Sequence, residues 1–578
     1  MKSSDYIATF LRDQGIDTVF GYMGGMITHL ADSLDKCQGI QFIQTYHEQT
    51  ASMAAEGYAI GSDGIGCAIS TSGPGATNMI TGIADAYFDS VPVLYITGQV
   101  NSYEYKYDKP IRQQGFQETD VVNIVKPITK YAVLVDDAQN LRYELEKAVY
   151  IAKEGRKGPV LLDITMDVQR TDVVPEKLGG YDARSSKNNY DDVGLEALWN
   201  VIEKAKSPIV LLGGGCQTKE TSQLLNNFFS ANQIPVVTSL MGRGAMDETY
   251  KYYIGMVGSY GNRCANITIS QADLLLVLGS RLDTRQTGAK IDSFLKDGHI
   301  IHVDIDENEL MHHRIENQLH VRMTVADFLK IIKSNHISFH PSLKWLDYVV
   351  RIKEQYNQNR EIDRFVENKA PYRFIQALNQ IMEEGDIVTT DVGQNQMWAA
   401  QTINLKKGMK FITSGGLAPM GYSMPAAIGL NFADATHKTY CICGDGGFHM
   451  SSQSLGVIAQ YHLPIKIMIM NNTSLGMITQ FQHLYFENRM VGTTRDGGYV
   501  VPNLEYMVKA YGLRYARIQS DDLQDNSRFK GIVENSDVVE YFIEGLTTVC
   551  PKLEYNQPIE NPLPFLPESE REKILFKS

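Results

Sequence analysis

The sequence lacks any long hydrophobic run. Among its 578 residues, apolar stretches such as 274–278 and 467–470 are far shorter than the roughly 18 residues that a membrane-spanning helix needs. The N-terminus begins Met1-Lys2-Ser3-Ser4-Asp5 and leads into an amphipathic stretch without a signal-peptide core. We therefore expect no membrane association and a cytoplasmic protein.

Cysteine and positive charge are also scarce. The seven cysteines are odd in number and scattered along the chain, which excludes a disulfide framework and favours a reducing compartment. Cys441 and Cys443 form a C-x-C pair, but their apolar surroundings are more typical of a buried strand than of a metal site. Lys plus Arg number 54 against 67 Asp plus Glu, and a net charge of −13 disfavours a nucleic-acid or anionic-membrane surface.

What the chain does contain is an ordinary globular composition spread over several domains. At 43% hydrophobic and 21% charged residues it is not disordered, and it is too long for one hydrophobic core. Short β-branched runs alternate with helical patterns in three regions, which predicts an α/β fold of three doubly wound parallel-sheet domains. We place the domains at residues 1–175, 190–340 and 365–535, with a polar linker at 178–192 and a C-terminal extension at 536–578.

The pattern also predicts individual elements within these domains. The extension becomes Pro-rich and charged from residue 551, and we expect that part to be flexible rather than laid across another surface. Helices are predicted at 49–60 and 76–87. The predicted strands are 67–71, 91–97, 208–212, 235–238, 274–278, 300–305, 387–390, 439–443 and 465–470.

The strongest functional signal is Gly444-Asp445-Gly446 followed, 24 residues later, by Asn471-Asn472. Each element directly follows a predicted strand, so both are expected at one edge of a parallel sheet, where ligands bind. A carboxylate and an amide oxygen there suit Mg²⁺, which typically shares its ligands with a diphosphate. The glycines allow backbone amides to approach phosphate oxygens. A lone Gly-Asp-Gly would be an ordinary turn, but this spacing predicts a magnesium–diphosphate site.

This element is similar to the thiamine-diphosphate signature, and nearly the whole chain resembles the acetolactate (acetohydroxyacid) synthase large-subunit family. The resemblance implies the three-domain fold of thiamine-diphosphate enzymes. It also implies a homodimer or homotetramer whose subunits share each site, with a possible small regulatory subunit. Further segments that carry the resemblance are GYMGG (21–25), YHEQ (46–49), SGPGATN (72–78), DSVP (89–92), GQV (98–100), FQET (116–119), DVGQ (391–394), QMW (396–398) and SGGL (414–417).

The resemblance assigns catalytic roles in the first domain. Glu48 would hydrogen-bond to the cofactor's aminopyrimidine and so promote removal of the thiazolium C2 proton. Without the resemblance, Glu48 would be read as an acidic residue at a helix start, favoured by the helix dipole. The backbone of Gly24 and Gly25, together with Gln117, would stabilise a developing oxyanion.

The resemblance also implies how the third domain holds thiamine diphosphate and Mg²⁺. The Mg²⁺ ligands would be the side chains of Asp445 and Asn472 and the carbonyl of Ser474. Met420 would support the cofactor's reactive shape, although methionine often simply fills core gaps. The residues expected to bind the cofactor are Gln394, Ala418 (where the family usually has glycine), Met420, Gly444, Gly446 and Gly447.

Glycine-rich turns in the middle region resemble the family's FAD site. A strict G-x-G-x-x-G motif is absent, so a generic dinucleotide-binding assignment would be weak. FAD is not needed for the carboligation itself, but many members of the family keep it, and we expect it here. The residues implied in FAD binding are Arg243, Gly244, Gly279, Arg281 and Asp304.

The activity that the resemblance implies is decarboxylation of pyruvate and carboligation of the hydroxyethyl unit to a second 2-keto acid. The product is then 2-acetolactate, a precursor in branched-chain amino acid biosynthesis. Arg285 would hold the acceptor carboxylate with its fork of donors. Phe116 and Phe481 would contact the substrate.

Two alternatives use the same chemistry. Phe481 stands where the family has tryptophan, Met23 replaces a proline and Thr284 an aspartate, and the tail resembles that of enzymes that transfer an acetyl unit from pyruvate to keto-nucleotide sugars. A simple 2-keto-acid decarboxylase or oxidase is the other alternative, which Arg285 disfavours. A non-catalytic scaffold is disfavoured because Glu48, Asp445 and Asn472 are all intact.

Overall fold

The computed structural model describes residues 1–183, 195–288, 294–295, 298–315, 318–549 and 566–577. The described residues form three six-stranded sheets in which every pair of neighbouring strands is parallel. Helices cover these sheets, and central strands such as residues 93–99 are buried at every position, as expected for parallel sheets covered on both faces. The predicted α/β class of three parallel-sheet domains is confirmed.

The first domain contains six strands and eight helices among the described residues. The predicted helix at 76–87 is divided at Met79 into two helices. The strands are β1 (Thr18–Gly21), β2 (Gln41–Gln44), β3 (Gly66–Ser70), β4 (Val93–Gln99), β5 (Tyr131–Val135) and β6 (Val160–Thr165), in the order β2-β1-β3-β4-β6-β5. The helices are α1 (Ser3–Asp13), α2 (Thr28–Lys36), α3 (Glu48–Ser62), α4 (Pro74–Asn78), α5 (Ile80–Phe88), α6 (Val121–Val125), α7 (Leu141–Lys153) and α8 (Met166–Arg170).

The middle domain follows the same design. Residues 184–194, which contain most of the predicted linker, lie outside the described residues. The strands are β7 (Pro208–Leu212), β8 (Val236–Thr238), β9 (Tyr253–Met256), β10 (Leu274–Leu278), β11 (His299–Asp304) and β12 (Gln318–Arg322), in the order β12-β11-β10-β7-β8-β9. The helices are α9 (Leu195–Lys204), α10 (Lys219–Asn232), α11 (Arg263–Ser270), α12 (Thr284–Thr287), α13 (Glu307–Met311) and α14 (Val325–Ser334), and α15 (Leu343–Gln355) and α16 (Gln358–Phe365) lead to the next domain.

The third domain takes in a strand that lies beyond the boundary placed at residue 535. This strand pairs with a central strand of the sheet, so the sheet extends to Phe542. The strands are β13 (Ile387–Thr390), β14 (Lys410–Thr413), β15 (Thr439–Gly444), β16 (Ile465–Asn471), β17 (Tyr515–Ile518) and β18 (Val538–Phe542), in the order β14-β13-β15-β16-β18-β17. The helices are α17 (Ala370–Ile381), α18 (Gln394–Thr402), α19 (Ser423–Ala433), α20 (Asp445–Met450), α21 (Ser454–Tyr461), α22 (Gly476–Tyr485), α23 (Leu504–Ala510) and α24 (Asn526–Asn535).

The cysteines behave as buried apolar residues. Cys441 and Cys443 are fully buried in β15, where alternate positions face the same side of the sheet, so the C-x-C pair belongs to the core as predicted. The six cysteines within the described residues are free thiols. None of the described helices combines the length and apolar character required to span a bilayer.

The first and third domains share one core, in which α3 packs closely against α19. A Cβ on Gly57 would lie 2.2 Å from the carbonyl oxygen of Ala426, and a Cβ on Gly429 would lie 1.9 Å from that of Ala54. Such distances are impossible for a larger residue, so these glycines allow the two helix backbones to touch. This contact fixes the start of α3 relative to the chain that leads into α19.

The described part of the C-terminal extension, 566–577, packs on the middle domain, whereas the composition led us to expect a flexible segment. It contains α25 (Glu568–Arg571), and Leu566, Ile574 and Phe576 pack on the middle domain against Trp345 and Tyr348 of α15. The Tyr348 hydroxyl donates to the carbonyl of Ile574 at 2.6 Å, and Arg364 pairs with Glu570 at 2.6 Å. A few apolar anchors inside a charged, Pro-rich stretch are enough for docking, and composition alone conceals them.

Candidate active site

The two elements of the diphosphate motif meet at one edge of the third sheet, as the sequence predicts. β15 ends at Gly444 and α20 starts at Asp445, while the neighbouring strand β16 ends at Asn471, with Gly444 in register with Met470. Of the asparagine pair, Asn471 turns inward and donates to Glu540 Oε1 at 2.8 Å, which leaves Asn472 as the member that faces the edge.

Asp445 is a buried carboxylate whose charge is poorly compensated. Its side chain is 1% exposed, and among the described residues the one side-chain donor to it is the Tyr499 hydroxyl at 3.0 Å. Burial raises the Asp445 pKa to about 7, and the hydrogen bonds from Tyr499 and from backbone amides offset this only in part. A cation at this carboxylate would restore its ordinary ionised state, so Asp445 fits a metal ligand.

Asn472 and Gln394 meet at Thr547, a residue that no sequence motif marks. Asn472 Nδ2 lies 3.2 Å from Gln394 Oε1 and 2.9 Å from Thr547 Oγ1. The Thr547 hydroxyl donates to Gln394 Oε1 at 2.8 Å, and Gln394 Nε2 donates to the Thr547 carbonyl at 2.9 Å. Thr547 follows β18 in the segment assigned to the extension, and no local motif marks it. The Ser474 hydroxyl lies 2.5 Å from that of Thr479.

Met420 and the glycine motif are in direct contact. A Cβ on Gly446 would lie 2.9 Å from Met420 Cε and 3.0 Å from Leu475 Cδ2, so only glycine allows this fit. Gly447 is similarly pressed against Asp391, whose Oδ1 would lie 2.3 Å from an added Cβ. The structure therefore places Met420 directly beside Gly446 of this motif.

Ala418 adopts a backbone conformation that favours glycine. Its φ is +60°, in the left-handed region, which costs a residue with a Cβ about 1 kcal/mol or more. We expect Ala418→Gly to increase the free energy of unfolding by roughly 1 kcal/mol, because relief of this strain exceeds the added entropy of the unfolded chain.

Urea denaturation of the two proteins measures this difference. The matched control is Gly512→Ala, at φ +77° with open space around its Cα, which should lower the free energy of unfolding by a similar amount. If Ala418→Gly is destabilising, then contacts of the Ala418 methyl group outweigh the backbone strain.

Glu48 is the first residue of α3 and is largely buried, at 7% exposure. The preceding His47 caps the helix, since its Nδ1 accepts from the Gln49 amide at 3.0 Å. Glu48 Oε2 accepts from Asn78 Nδ2 at 3.0 Å, and Oε1 lies 3.2 Å from where a Cβ on Gly75 would be. The carboxylate is thus fixed in direction, and Gly75 leaves space beside it.

The other residues assigned in the first domain lie near Glu48. A Cβ on Gly24 would lie 2.4 Å from the Cβ of Thr71, and one on Gly73 would lie 3.1 Å from the Cβ of Gln117. Gln117 itself has a φ of +62°, and its neighbour Phe116 is 79% exposed. The turns after β1 and β3 therefore converge with Gln117 at one edge of the sheet. Gly25 follows in the same turn, with open space around it.

Within one chain these two groups of residues are not linked by the hydrogen bonds that the structure describes. Among the described residues, no hydrogen bond or ion pair joins Glu48 to Asp445, Asn472 or Gln394. Several apolar side chains near the first group are exposed instead of packed, namely Tyr22, Met23, Tyr46, Tyr103 and Phe116. Clustered exposed apolar side chains are typical of surfaces that another molecule covers.

A groove of about 500 Å³ runs between the three domains. Gly214 and Gly215 after β7, Gly279 after β10, and Asp304 at the end of β11 line it, as does Arg281. Burial raises the Asp304 pKa. The groove has a volume typical of small-molecule and cofactor sites, and it offers acceptors and a guanidinium to a dinucleotide.

Arg243 and Gly244 do not line this groove, contrary to the assignment. The Arg243 side chain is buried, forms an ion pair with Glu248, and donates to the carbonyls of Ala400 and Ile403 in the third domain. Gly244 lies against Phe411 of the third domain. A Gly-Arg-Gly turn resembles a ligand loop in sequence, but here it forms a contact between domains.

Arg285 and Phe481 lie on the same side of the molecule, at the meeting of the middle and third domains. The Arg285 carbonyl accepts from the Ser259 amide at 2.8 Å, and its exposed side chain lines the groove. Burial raises the pKa of Tyr260; the nearby Arg285 charge opposes this rise, and Tyr485 adds to it. Tyr485 contacts Phe481, which is 43% exposed, with ring centroids 5.0 Å apart.

Comparison with known families matches all three domains. Residues 1–124 match the thiamine pyrophosphate enzyme N-terminal TPP binding domain, and residues 195–332 match the central domain of the same enzymes. Residues 391–535 match the thiamine pyrophosphate enzyme C-terminal TPP binding domain. The third match contains the edge formed by Asp445 and Asn472.

Individual relatives are similar to the chain over most of its length. The acetolactate synthase isozyme 2 large subunit of Escherichia coli K12 is 35% identical over 526 residues, which cover 90% of this chain and 92% of that protein. The acetolactate synthase large subunit of Lactococcus lactis is 34% identical over 539 residues, or 90% of each chain. Acetolactate synthase 2 of Nicotiana tabacum, a chloroplastic protein, is 35% identical over 540 residues, or 90% of this chain and 79% of that one.

Proposed function

Because the chain belongs to the acetolactate synthase large-subunit family of thiamine-diphosphate enzymes, we propose that it decarboxylates pyruvate and joins the two-carbon unit to a second pyruvate, giving 2-acetolactate. One observation carries this proposal beyond the resemblance. Asp445 is a buried carboxylate that forms no ion pair with any residue the structure describes, at the edge where a diphosphate-bound metal would neutralise it.

The residues of the third domain fit the cofactor. Asp445 and Asn472, with the Ser474 carbonyl, would hold Mg²⁺ by oxygen atoms, which is the chemistry that this ion prefers. Gly446 leaves room beside Met420, and Gln394 donates and accepts next to Asn472. When bound, thiamine diphosphate supplies a nucleophilic carbon for addition to 2-keto acids.

Glu48 would hold the proton that the cofactor's ring nitrogen shares. Its carboxylate is buried and held by Asn78, so it is preorganised to accept or donate at one position. Gln117 and the backbone amides of Gly24 and Gly25 would donate hydrogen bonds to the developing oxyanion. FAD would lie in the groove along Gly279, Arg281 and Asp304, without a part in the carboligation.

A complete site would require two copies of the chain. Among the described residues no hydrogen bond or ion pair joins Glu48 to Asp445, Asn472 or Gln394 of its own chain, and exposed apolar residues such as Met23 and Phe116 flank it. A homodimer, or a tetramer built from dimers, would cover these residues and bring Glu48 to the Asp445 edge of the partner. The relatives are named large subunits, which favours a small regulatory partner as well.

The acceptor distinguishes the proposed activity from its alternatives. The Arg285 guanidinium forms no ion pair among the described residues, so it is available to bind the carboxylate of a 2-keto acid that accepts the two-carbon unit. A half-exposed Phe481 beside Tyr485 leaves a wider opening than tryptophan would, which is the feature that favours a keto-nucleotide sugar.

Incubation of the purified protein with pyruvate, thiamine diphosphate and Mg²⁺ tests the activity. We expect 2-acetolactate with one CO₂ for every two pyruvates consumed, because the two-carbon unit ends on a second pyruvate. Acetaldehyde or acetate as the main product would identify a decarboxylase or an oxidase. Turnover that begins only after a keto-nucleotide sugar is added would identify the acetyltransferase.

A further inference from the structure

The loop formed by residues 414–422 carries Ala418 and Met420, and its first residues are held by two acids of another domain. Gly415 and Gly416 donate their amides to the two carboxylate oxygens of Asp89, at 3.0 and 2.7 Å. The Ser414 hydroxyl donates to Asp85 Oδ1 at 2.6 Å and accepts from the Ala418 amide at 3.0 Å. Both acids belong to the first domain, on α5 and at its C-terminal end.

The last residues of the loop are held in the same manner. Gly421 and Ser423 donate their amides to Asp391 at 2.9 and 3.0 Å. The Tyr422 hydroxyl lies 3.3 Å from Oε1 of Glu56, a buried residue of α3 in the first domain. Carboxylates therefore bind both ends of a segment that has no regular structure and contains the strained Ala418.

Asp89 does not stabilise its own helix. It lies at the C-terminal end of α5, where the helix dipole disfavours a negative charge. Asp85 is fully buried. Burial raises the pKa of Asp85 and raises that of Asp89 to about 6, so the surroundings of both residues disfavour the ionised carboxylate. Their geometric contribution is the set of hydrogen bonds to residues 414–418.

We propose that Asp85 and Asp89 are positioning residues that hold the loop 414–422 in the shape that receives thiamine diphosphate. This inference rests on the proposed function, because the loop is assigned to the cofactor there. Ser414 transmits the constraint, since one hydroxyl links Asp85 to the amide of Ala418. The first domain thus shapes the cofactor site of the third domain within the same chain, in addition to supplying Glu48 to the site of the partner.

The decisive comparison is between Asp89→Asn and Asp273→Asn. Asp273 accepts the consecutive backbone amides of Lys206 and Ser207, at 2.7 and 3.0 Å, in the middle domain, so its substitution removes the same kind of interaction away from the loop. Titration calorimetry of the apoproteins with thiamine diphosphate and Mg²⁺ gives their dissociation constants. We expect Asp89→Asn to raise this constant about tenfold or more, and Asp273→Asn to leave it within about twofold.

Ser414 provides a second test with a conservative rescue. Ser414→Ala removes both hydrogen bonds of the hydroxyl, whereas Ser414→Thr keeps the hydroxyl. Hydrogen exchange of peptides that cover residues 414–424 in the apoprotein should be faster in Ser414→Ala and close to wild type in Ser414→Thr. Because this readout needs neither cofactor nor turnover, it reports the loop directly. It also remains available if Asp89→Asn does not fold.

The outcomes separate this inference from the proposed function. If the wild-type protein does not bind thiamine diphosphate, the proposed function and this assignment both fail. If the wild type binds it and Asp89→Asn binds equally well, only the positioning role is overturned. Rapid exchange of the loop amides in the wild type would also overturn it, because the hydrogen bonds would then not hold the loop.

Discussion

Glu48→Gln should lower kcat for pyruvate condensation by about 100-fold or more, the usual contribution of a positioned proton-transfer group. The side chain is buried and hydrogen-bonded to Asn78, and glutamine has nearly the same shape, so the fold should be retained. An amide cannot hold and return a proton at the cofactor nitrogen as a carboxylate does. The loss should therefore fall on kcat, with the dissociation constant for thiamine diphosphate changed little.

The control for this experiment is Glu146→Gln, the same change in the same domain. Glu146 accepts from Arg142 and from the Tyr181 amide, away from the edge that contains Glu48. We expect this variant to turn over pyruvate at nearly the wild-type rate. Unchanged turnover in Glu48→Gln would remove the residue from the mechanism. If the variant lost both cofactor binding and turnover, Glu48 would instead have a role in assembling the site.

The sequence predicts the position of a residue well where that position depends on local order along the chain. Asp445 and Asn472 each follow a strand, and parallel strands end at the same edge, so their proximity follows from topology alone. Glu48 at the start of α3 is a similar case. Such residues need only the correct secondary structure to be placed.

The residues that sequence reasoning missed or misplaced depend on contacts between distant segments. Asp89 reaches the amides of Gly415 and Gly416, more than 300 residues away, and nothing near Asp89 in sequence indicates that partner. Arg243 looked like a ligand-loop residue, but its guanidinium binds Glu248 and the third domain. Thr547 lies beyond the last strand of the sheet, and only the packing of that segment places it beside Gln394.

Asp445→Asn should have opposite effects on binding and on the stability of the apoprotein. Loss of the carboxylate should weaken the joint binding of Mg²⁺ and thiamine diphosphate by about 100-fold or more, because a charged ligand in a buried site is replaced by a neutral one. The same change removes a buried negative charge that has one hydroxyl partner. Without cofactor, the variant should therefore be the more stable protein near neutral pH.

The pH dependence of this gain follows from the direction of the pKa shift. The folded-state pKa of Asp445 is raised to about 7 from an ordinary value near 4, so the folded protein binds this proton more tightly than the unfolded chain does. The associated stability is complete below about pH 4 and is lost as the pH rises to about 7. Since asparagine does not ionise, the stability advantage of Asp445→Asn over the wild type should grow over this interval and level off above it. Each pKa unit corresponds to about 1.4 kcal/mol, so the advantage should reach a few kcal/mol.

Thermal unfolding midpoints of the two apoproteins between pH 5 and pH 8 measure this effect. Asp163→Asn is the control, since burial also raises the Asp163 pKa to about 7, while its partners Thr97 and Gln99 belong to the first domain. Both variants should gain relative to wild type as the pH rises. Addition of Mg²⁺ and thiamine diphosphate should raise the midpoint of the wild type and of Asp163→Asn but not that of Asp445→Asn.

Asp445→Asn should be more stable than the wild type without cofactor and less stable than it with cofactor. This exchange of order connects stability with function. If Asp445→Asn gains nothing at high pH, the carboxylate already has a counter-charge within the folded chain, and the reason for assigning a metal to it disappears. If it gains stability and still responds to Mg²⁺ with thiamine diphosphate, the metal is held elsewhere. If Asp445→Asn gains stability and does not respond to Mg²⁺ with thiamine diphosphate, the wild-type apoprotein maintains an unfavourable buried charge that the metal neutralises. Stability of the apoprotein is then lower, and cofactor affinity higher, because of this one residue.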